Sequence, residues 1–95
     1  MEVKHTDDGT KGIFFIEIEG KRMAEMTYLH QSPHAICIEH TQVDDALKGQ
    51  GVGYKLIEAS VAYVRSNNLK VIPICSYAQA VFKKRQKEFA DILTQ

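Results

Sequence analysis

The feature that most constrains this chain is a glycine-dense turn between two segments of different hydrophobic period. Residues 35–43 are apolar and β-rich, whereas residues 54–64 have helical spacing. Between them three glycines fall within five residues: Gly49, Gly51 and Gly53. Glycine lets a backbone turn tightly and approach a ligand closely. If this turn opens a helix, the first amides lack intrahelical acceptors at the positive end of the helix dipole, which suits a pyrophosphate.

Two common phosphate-binding motifs do not match the turn. The P-loop needs Gly-Lys-Ser/Thr at its end, but no such triplet is present and Lys55 follows Tyr54. The dinucleotide fingerprint G-x-G-x-x-G also fails, because Leu56 stands where its third glycine belongs. A plain strand-to-helix turn that binds nothing remains an alternative at this point.

Residues 48–53, KGQGVG, resemble the loop of the Gcn5-related N-acetyltransferases, whose signature is [QR]-x-x-G-x-[GA]. Lys48 replaces the usual Arg or Gln, which keeps a positive charge but loses the planar fork of a guanidinium. The resemblance implies that acetyl-CoA is the cofactor and that the loop holds its pyrophosphate. The implied cofactor-binding residues of the loop are Lys48, Gly49, Gln50, Gly51, Val52 and Gly53.

The remaining pattern predicts one α/β (α+β) domain over residues 1–95 with the order ββββαβα. The predicted strands are 2–5, 13–19, 23–29, 35–41 and 71–75, and the predicted helices are 54–64 and about 77–89, the second capped by Ser76. Short connections favour an antiparallel meander for the first four strands. A helix crosses between the fourth and fifth strands, which we therefore expect to be parallel. This order resembles a truncated acyl-CoA N-acyltransferase fold with a mostly antiparallel sheet and two helices.

The resemblance covers nearly the whole chain, most firmly residues 35–82, and points to the very short members of the family. The helical pair that normally follows the first strand has no room between Asp8 and Ile13. Short members have a His-Thr after the fourth strand and a Cys near the end of the fifth; the equivalents here are His40-Thr41 and Cys75.

In this family the fourth and fifth strands splay apart and the pantetheine arm lies in the gap. The resemblance therefore adds Thr41, Gln42 and Val43 to the expected cofactor-binding residues. Pro73 has no N–H to donate, which suits an edge that is not fully paired, although it could equally just end the pairing.

His40 is the candidate general base, because imidazole titrates near neutral pH and this position borders the expected thioester. A purely structural His40 is the alternative. The carboxylate that many family members use would align with Pro33-His34-Ala35, which contains none. Glu39 is close in sequence, but strand alternation predicts that Glu39 and His40 point to opposite faces.

The usual acid of the family, a tyrosine, is replaced by Phe82, which has no proton to give. Cys75 is the candidate catalytic thiol, as an acid or as a nucleophile that accepts the acetyl group. An inert, buried Cys75 is equally compatible with the sequence. Tyr77 is a further candidate acid, although its ring could simply pack, and Cys37 is expected in the core.

Charge and cysteine content exclude several classes of protein. Twelve basic and twelve acidic residues give a net charge of zero, so we expect no nucleic-acid partner. No run of 18 apolar residues and no leader-like amino terminus are present, so we expect no membrane partner, and two cysteines suit the reducing cytoplasm. His and Cys spacing predicts no metal site. The basic run at 83–87 predicts a solvated helix face or a contact with the 3′-phosphate of coenzyme A.

Three functions remain compatible with the sequence. The first is an N-acetyltransferase that acts on an unidentified amine, such as a protein or peptide lysine. The second is a coenzyme A-binding protein with little or no catalytic activity. The third is an interaction module without ligand, which the three intact glycines disfavour. The acceptor and the oligomeric state are open, and a monomer is compatible with the chain.

Overall fold

The computed structural model describes residues 1–93 as a five-stranded sheet with three helices. The strands are β1 (Lys4–Asp7), β2 (Lys11–Ile18), β3 (Lys21–Ser32), β4 (Ala35–Val43) and β5 (Lys70–Pro73); the helices are α1 (Val52–Ser66), α2 (Ser76–Lys84) and α3 (Gln86–Phe89). The strand order is β1-β2-β3-β4-β5; among these five strands of residues 1–93 the β4–β5 pair is parallel and the other pairs are antiparallel. The predicted fold class and the parallel pairing are thereby confirmed.

Two faces of the sheet follow from strand alternation. The inner face packs on the helices in one core, to which the strands contribute Phe14, Ile16, Ala24, Met26, Tyr28, Ile36 and Ile38. The outer face is opposite and includes Ile13, Phe15, Thr27, Leu29 and Cys37. Helix α1 buries the predicted positions against the inner face: Leu56, Ile57, Ser60, Val61 and Val64. Each fully buried aliphatic side chain stabilises the fold by about 1.5–3 kcal/mol.

Three local details differ from the sequence-based expectations. The strand predicted over 13–19 ends at Ile18, because Glu19 and Gly20, both with positive φ (52° and 79°), form the two-residue turn between β2 and β3 that suits strand twist. Cys75, not Ser76, caps α2. The predicted last helix is divided at Arg85, and the change of direction places Phe89 edge-on against another buried ring, with 5.3 Å between centroids.

The edge strand β1 is fastened by a polar cluster around Asp7. Its Oδ2 accepts hydrogen bonds from the Tyr28 hydroxyl, from His30 Nε2 at 2.7 Å and from the Tyr63 hydroxyl at 3.2 Å. Tyr28 reaches Asp7 by crossing Gly12, where a Cβ would lie 2.2 Å from the tyrosine hydroxyl. The cluster therefore ties β1 to β3 and α1, although the four residues of β1 are exposed as a whole and only the Asp7 side chain, at 20%, is mostly covered.

Among the described residues, no helix is both long and apolar enough to span a membrane.

Candidate functional site

A gap opens between β4 and β5 halfway along β4. The two strands pair from Ala35–Lys70 to Ile38–Pro73. The Ile38 carbonyl then accepts the amides of both Ile74 (2.8 Å) and Cys75 (3.1 Å), which ends the ladder. Over residues 1–93, the β4 segment 39–43 is paired only with β3. Its free edge confirms the predicted splay, and Pro73 stands in the last registered pair.

A β-bulge at Glu39 changes which side chains face outward. Tyr28 pairs with Ile38 and Thr27 pairs with His40, so Glu39 is an extra residue without a partner in the register. His40 shares the outer face with Thr27. Glu39 lies on the same face, because it lines a pocket with Thr27 and its charge adds to burial in raising the pKa of Cys37. The expectation that Glu39 and His40 point to opposite faces is therefore wrong, since a bulge interrupts the period of two.

Cys75 lies at the inner mouth of the gap. Its Sγ is 3.4 Å from the Thr41 hydroxyl and accepts the Ala78 amide at 3.4 Å as the cap of α2. The amino terminus of a helix stabilises negative charge on such an atom. Thr41 pairs with Met26 and shares its inner face, whereas His40 is exposed on the outer face. The structure thus brings Cys75 together with Thr41 and not with His40.

The glycine loop has the geometry of an anion site. Gly49 and Gly51 adopt left-handed conformations (φ 80° and 71°), which cost other L-residues steric strain. Gly51 is the N-cap of α1 and makes no side-chain capping bond, so the first amides of the helix point out without acceptors from the helix itself. Gly53 is required for a different reason: a Cβ there would lie 2.8 Å from the Tyr77 hydroxyl.

A pocket of about 280 Å³ joins this loop to the inner mouth of the gap. It is lined by most of the predicted cofactor residues: Thr41, Val43, Lys48, Gly49, Gly51, Val52 and Gly53. Gln42 lies outside it on the outer face, and the Gln50 side chain instead donates to the Ala46 carbonyl at 3.3 Å. Leu47 and Tyr77 also line the pocket. Of these two, the sequence singled out only Tyr77, as a further candidate acid, and nothing in the sequence marked Leu47.

Charged and titrating groups surround the pocket. The exposed Lys48 ammonium pairs with Asp45 at 2.9 Å, which raises the pKa of Lys48. The Arg85 guanidinium stacks 4.6 Å from the Tyr54 ring centroid, directly after the loop. Burial, and secondarily the charge of Cys75, raises the pKa of Tyr77, so its hydroxyl keeps its proton. At the pocket wall the site therefore has one cation, Lys48, and one protonated hydroxyl, Tyr77, whereas Arg85 lies outside the pocket lining and also pairs with Glu88 at 3.2 Å.

Two further expectations concern residues away from the pocket. Phe82 is buried in the core with 2% exposure, and Cys37 is buried on β4, where its thiol donates to the Gln31 side chain. No group of three or more His, Cys, Asp or Glu side chains within residues 1–93 is arranged to hold a metal.

Comparisons with known proteins agree with this architecture. A family model described as GCN5-related N-acetyl-transferase matches residues 13–92. A GCN5-like protein from Staphylococcus aureus, solved in solution by NMR, is 39% identical with a TM-score of 0.74, over 98% of this chain and 87% of that chain.

More distant matches extend the comparison. The chicken (Gallus gallus) protein NATD1 is 27% identical over 85 residues, which are 88% of this chain and 76% of that protein. A GNAT family acetyltransferase from Elizabethkingia anophelis, solved with acetyl-CoA bound, has a TM-score of 0.64 at 11% identity, over 81% of this chain and 53% of that chain. At that identity the likeness concerns the fold alone.

Proposed function

The chain belongs to the GCN5-related N-acetyltransferase family, and from this premise we propose that it transfers an acetyl group from acetyl-CoA to an amine. The observation that carries the proposal is the pocket that joins the glycine loop to Thr41 on the free edge of β4, where the Thr41 hydroxyl lies 3.4 Å from the Cys75 Sγ. Uncapped helix amides suit the pyrophosphate of acetyl-CoA, an unpaired strand edge suits its pantetheine arm, and a thiol suits its acetyl thioester. The proposal accounts for all three features with one substrate.

Binding would use backbone groups more than side chains. The amides that follow Gly51 would hold the pyrophosphate at the amino terminus of α1. Lys48 would leave its exposed pair with Asp45 to contact a phosphate, at small cost because such surface pairs contribute little. The free edge of residues 39–43 would pair with the amides of the pantetheine arm, as an added strand does.

The transfer needs one proton acceptor and one proton donor. In direct transfer, the amine nitrogen bonds to the thioester carbon, the C–S bond breaks, and the coenzyme sulfur takes up a proton. His40 is the proposed acceptor of the amine proton on the outer face. Cys75 or Tyr77 is the proposed donor at the inner mouth. A two-step route is also open, in which Cys75 takes the acetyl group as a thioester and passes it to the amine.

A second candidate is a coenzyme A-binding protein with little or no catalysis. Phe82 favours it, because this buried ring stands where the family resemblance implies a tyrosine acid. Both candidates need the same cofactor site. They differ in whether acetyl groups leave the coenzyme.

Calorimetry with acetyl-CoA, followed by intact-mass analysis of the incubated protein and assay of free thiol, tests the proposal. We expect micromolar binding, and thiol release when amines are added. Cys75→Ser should retain coenzyme binding and the cap of α2, because a serine hydroxyl can still accept the Ala78 amide. The variant should lose any acetyl group carried by the Cys75 thiol. Cys37→Ser is the matched control on the outer face.

The outcomes separate the candidates. Binding without thiol release from a panel of amines would favour the coenzyme-binding candidate. Absence of binding would refute both. Protein and peptide lysines are the acceptors to test first, in a buffer without added reductant so that released coenzyme A is the thiol measured. The proposed setting is the cytoplasm, since both cysteines are free thiols.

A further inference from the structure

Tyr77 stands at the wall of the loop pocket with a hydroxyl that the protein does not use. The residue belongs to the first turn of α2, and 38% of its surface is exposed. Its helix neighbours Cys75 and Gln79 both have hydrogen-bond partners, whereas over residues 1–93 no hydrogen bond engages the Tyr77 hydroxyl. A free polar group at the wall of a pocket is available to a ligand, whose orientation it can fix.

The tyrosine ring reaches across from α2 to the first turn of α1. A Cβ at Gly53 would lie 2.8 Å from the Tyr77 hydroxyl oxygen and 2.9 Å from Cζ, so the end of the ring rests against the Gly53 backbone. The first bond of the α1 ladder runs from the Lys55 amide to the Gly51 carbonyl at 3.1 Å. The amides of residues 52–54 precede that bond and have no acceptor within the helix. The hydroxyl therefore lies beside the amides that are proposed to hold the pyrophosphate.

The hydroxyl lies at the loop end of the pocket and not at its thiol end. At the thiol end Thr41 and Cys75 contact each other at 3.4 Å, and within residues 1–93 neither is hydrogen-bonded to the Tyr77 hydroxyl. Burial, and after it the charge of Cys75, raises the pKa of Tyr77, so the hydroxyl is a neutral donor. Such a donor suits a phosphate oxygen, because a hydrogen bond to a charged acceptor is stronger than one between neutral groups.

We propose that the Tyr77 hydroxyl donates a hydrogen bond to the pyrophosphate of coenzyme A and so fixes the phosphate end of the cofactor from α2. This inference rests on the proposed function and adds to its cofactor site a side chain from outside the glycine loop. Helix α1 presents backbone amides to the phosphates, and α2 presents one hydroxyl. Gly53 is then needed to make room for that donor. Of the two proton donors named for the reaction, Cys75 remains.

The test uses three probes that differ in their phosphates. Coenzyme A has the whole cofactor structure, inorganic pyrophosphate has the phosphates alone, and pantetheine has the arm and the thiol without phosphate. Full-length protein is titrated with coenzyme A in a calorimeter, and with the two smaller probes while backbone amide NMR signals are followed. We expect saturable shifts at Gly51 and Gly53 with pyrophosphate, and at Thr41 with pantetheine.

Tyr77→Phe is the decisive variant, because it removes the hydroxyl and keeps the ring. We expect the affinities for coenzyme A and for pyrophosphate to fall about tenfold, as for one lost hydrogen bond to a charged group, with pantetheine affinity and melting temperature unchanged. The KM of acetyl-CoA should rise by the same factor at constant kcat. Tyr54→Phe is the matched control, since the Tyr54 ring contacts Arg85 outside the pocket lining, and it should match the wild type with every probe.

The results separate this assignment from the proposed function. Equal coenzyme A affinity in Tyr77→Phe and wild type overturns the assignment even if acetyl transfer occurs, and so does an equal loss of pantetheine affinity. A lower kcat at unchanged affinity would make Tyr77 the proton donor and also overturns it. Conversely, phosphate binding that depends on Tyr77 in a protein that transfers no acetyl group supports the assignment and refutes the enzyme. A wild type that binds neither coenzyme A nor pyrophosphate refutes both.

Discussion

Replacement of Gly51 by alanine tests whether the glycine loop holds the cofactor. Gly51 has φ 71° and ψ 20° as the N-cap of α1, and a Cβ built there meets no heavy atom within 4 Å. The substitution therefore causes no clash, and its cost is the left-handed backbone alone, about 1–2 kcal/mol. In a domain of this size that should lower the melting temperature by about 4–8 °C for each kcal/mol.

The effect on the cofactor has a separate origin. If the backbone keeps its conformation, the new methyl group projects into the space that Gly51 now lines in the loop pocket. If the backbone relaxes, the amides that follow turn away from the phosphates. Both responses should weaken coenzyme A binding, and relief of 1–2 kcal/mol of strain corresponds to about 5- to 30-fold in affinity. Calorimetry and thermal unfolding measure the two quantities on the same sample.

Gly9→Ala is the matched control. Gly9 also has positive φ (92°) with nothing within 4 Å of a built Cβ, but it lies in the β1–β2 turn. We expect a similar loss of melting temperature with unchanged coenzyme A affinity. If both variants bind coenzyme A as tightly as the wild type, the loop does not hold the phosphates and the reasoning fails.

Two further predictions concern the cluster that fastens β1. Asp7→Asn should lower the free energy of unfolding by about 2–3 kcal/mol, because an amide cannot accept all the hydrogen bonds that converge on this carboxylate. A urea titration measures the loss, with Asp8→Asn as the control, since one amide oxygen at this exposed turn can still accept both backbone amides that Asp8 Oδ1 accepts; equal losses in the two variants would contradict the prediction. Burial, only partly offset by the charge of Asp7, lowers the pKa of His5 in the folded protein. The contribution of His5 to stability is therefore fully present above the unfolded pKa of about 6.5 and is lost as the pH falls below that value. The melting temperature should therefore fall between about pH 7.5 and 5.5, with a smaller slope in His5→Gln; equal slopes would show that His5 is not the responsible group.

Local pattern was sufficient to predict the elements that bury one regular face. The apolar residues from Leu56 to Val64 recur at helical spacing, and the start of β4 is an apolar run typical of a strand. The structure has helix α1 and strand β4 at these places. The left-handed glycines were predictable for the same reason, since their conformation excludes most other residues. Each of these features depends on neighbours within a few residues.

Features that depend on distant partners were not predictable. The bulge at Glu39 is decided by how β4 aligns with Thr27 and Tyr28, and nothing in the residues around Glu39 marks it. Asp7 gave no signal because its partners lie 21, 23 and 56 residues away along the chain. The cap of α2 at Cys75 coincides with a hydrogen bond from the Cys75 amide to the distant Ile38 carbonyl, a contact that the residues around Ser76 do not reveal.

The bulge also determines how the chemistry can be divided. Because Cys75 lies at the inner mouth and His40 on the outer face, the two cannot form the thiolate–imidazolium pair that activates many catalytic cysteines. The described groups that contact the Cys75 sulfur are instead the Ala78 amide, which donates to it, and the Thr41 hydroxyl at 3.4 Å. In the proposed reaction, the two proton transfers would then belong to different groups on different sides of the gap. Loss of His40 should consequently slow deprotonation of the amine without altering acetylation of Cys75, and a variant in which both steps fail together would show that the sides are not independent.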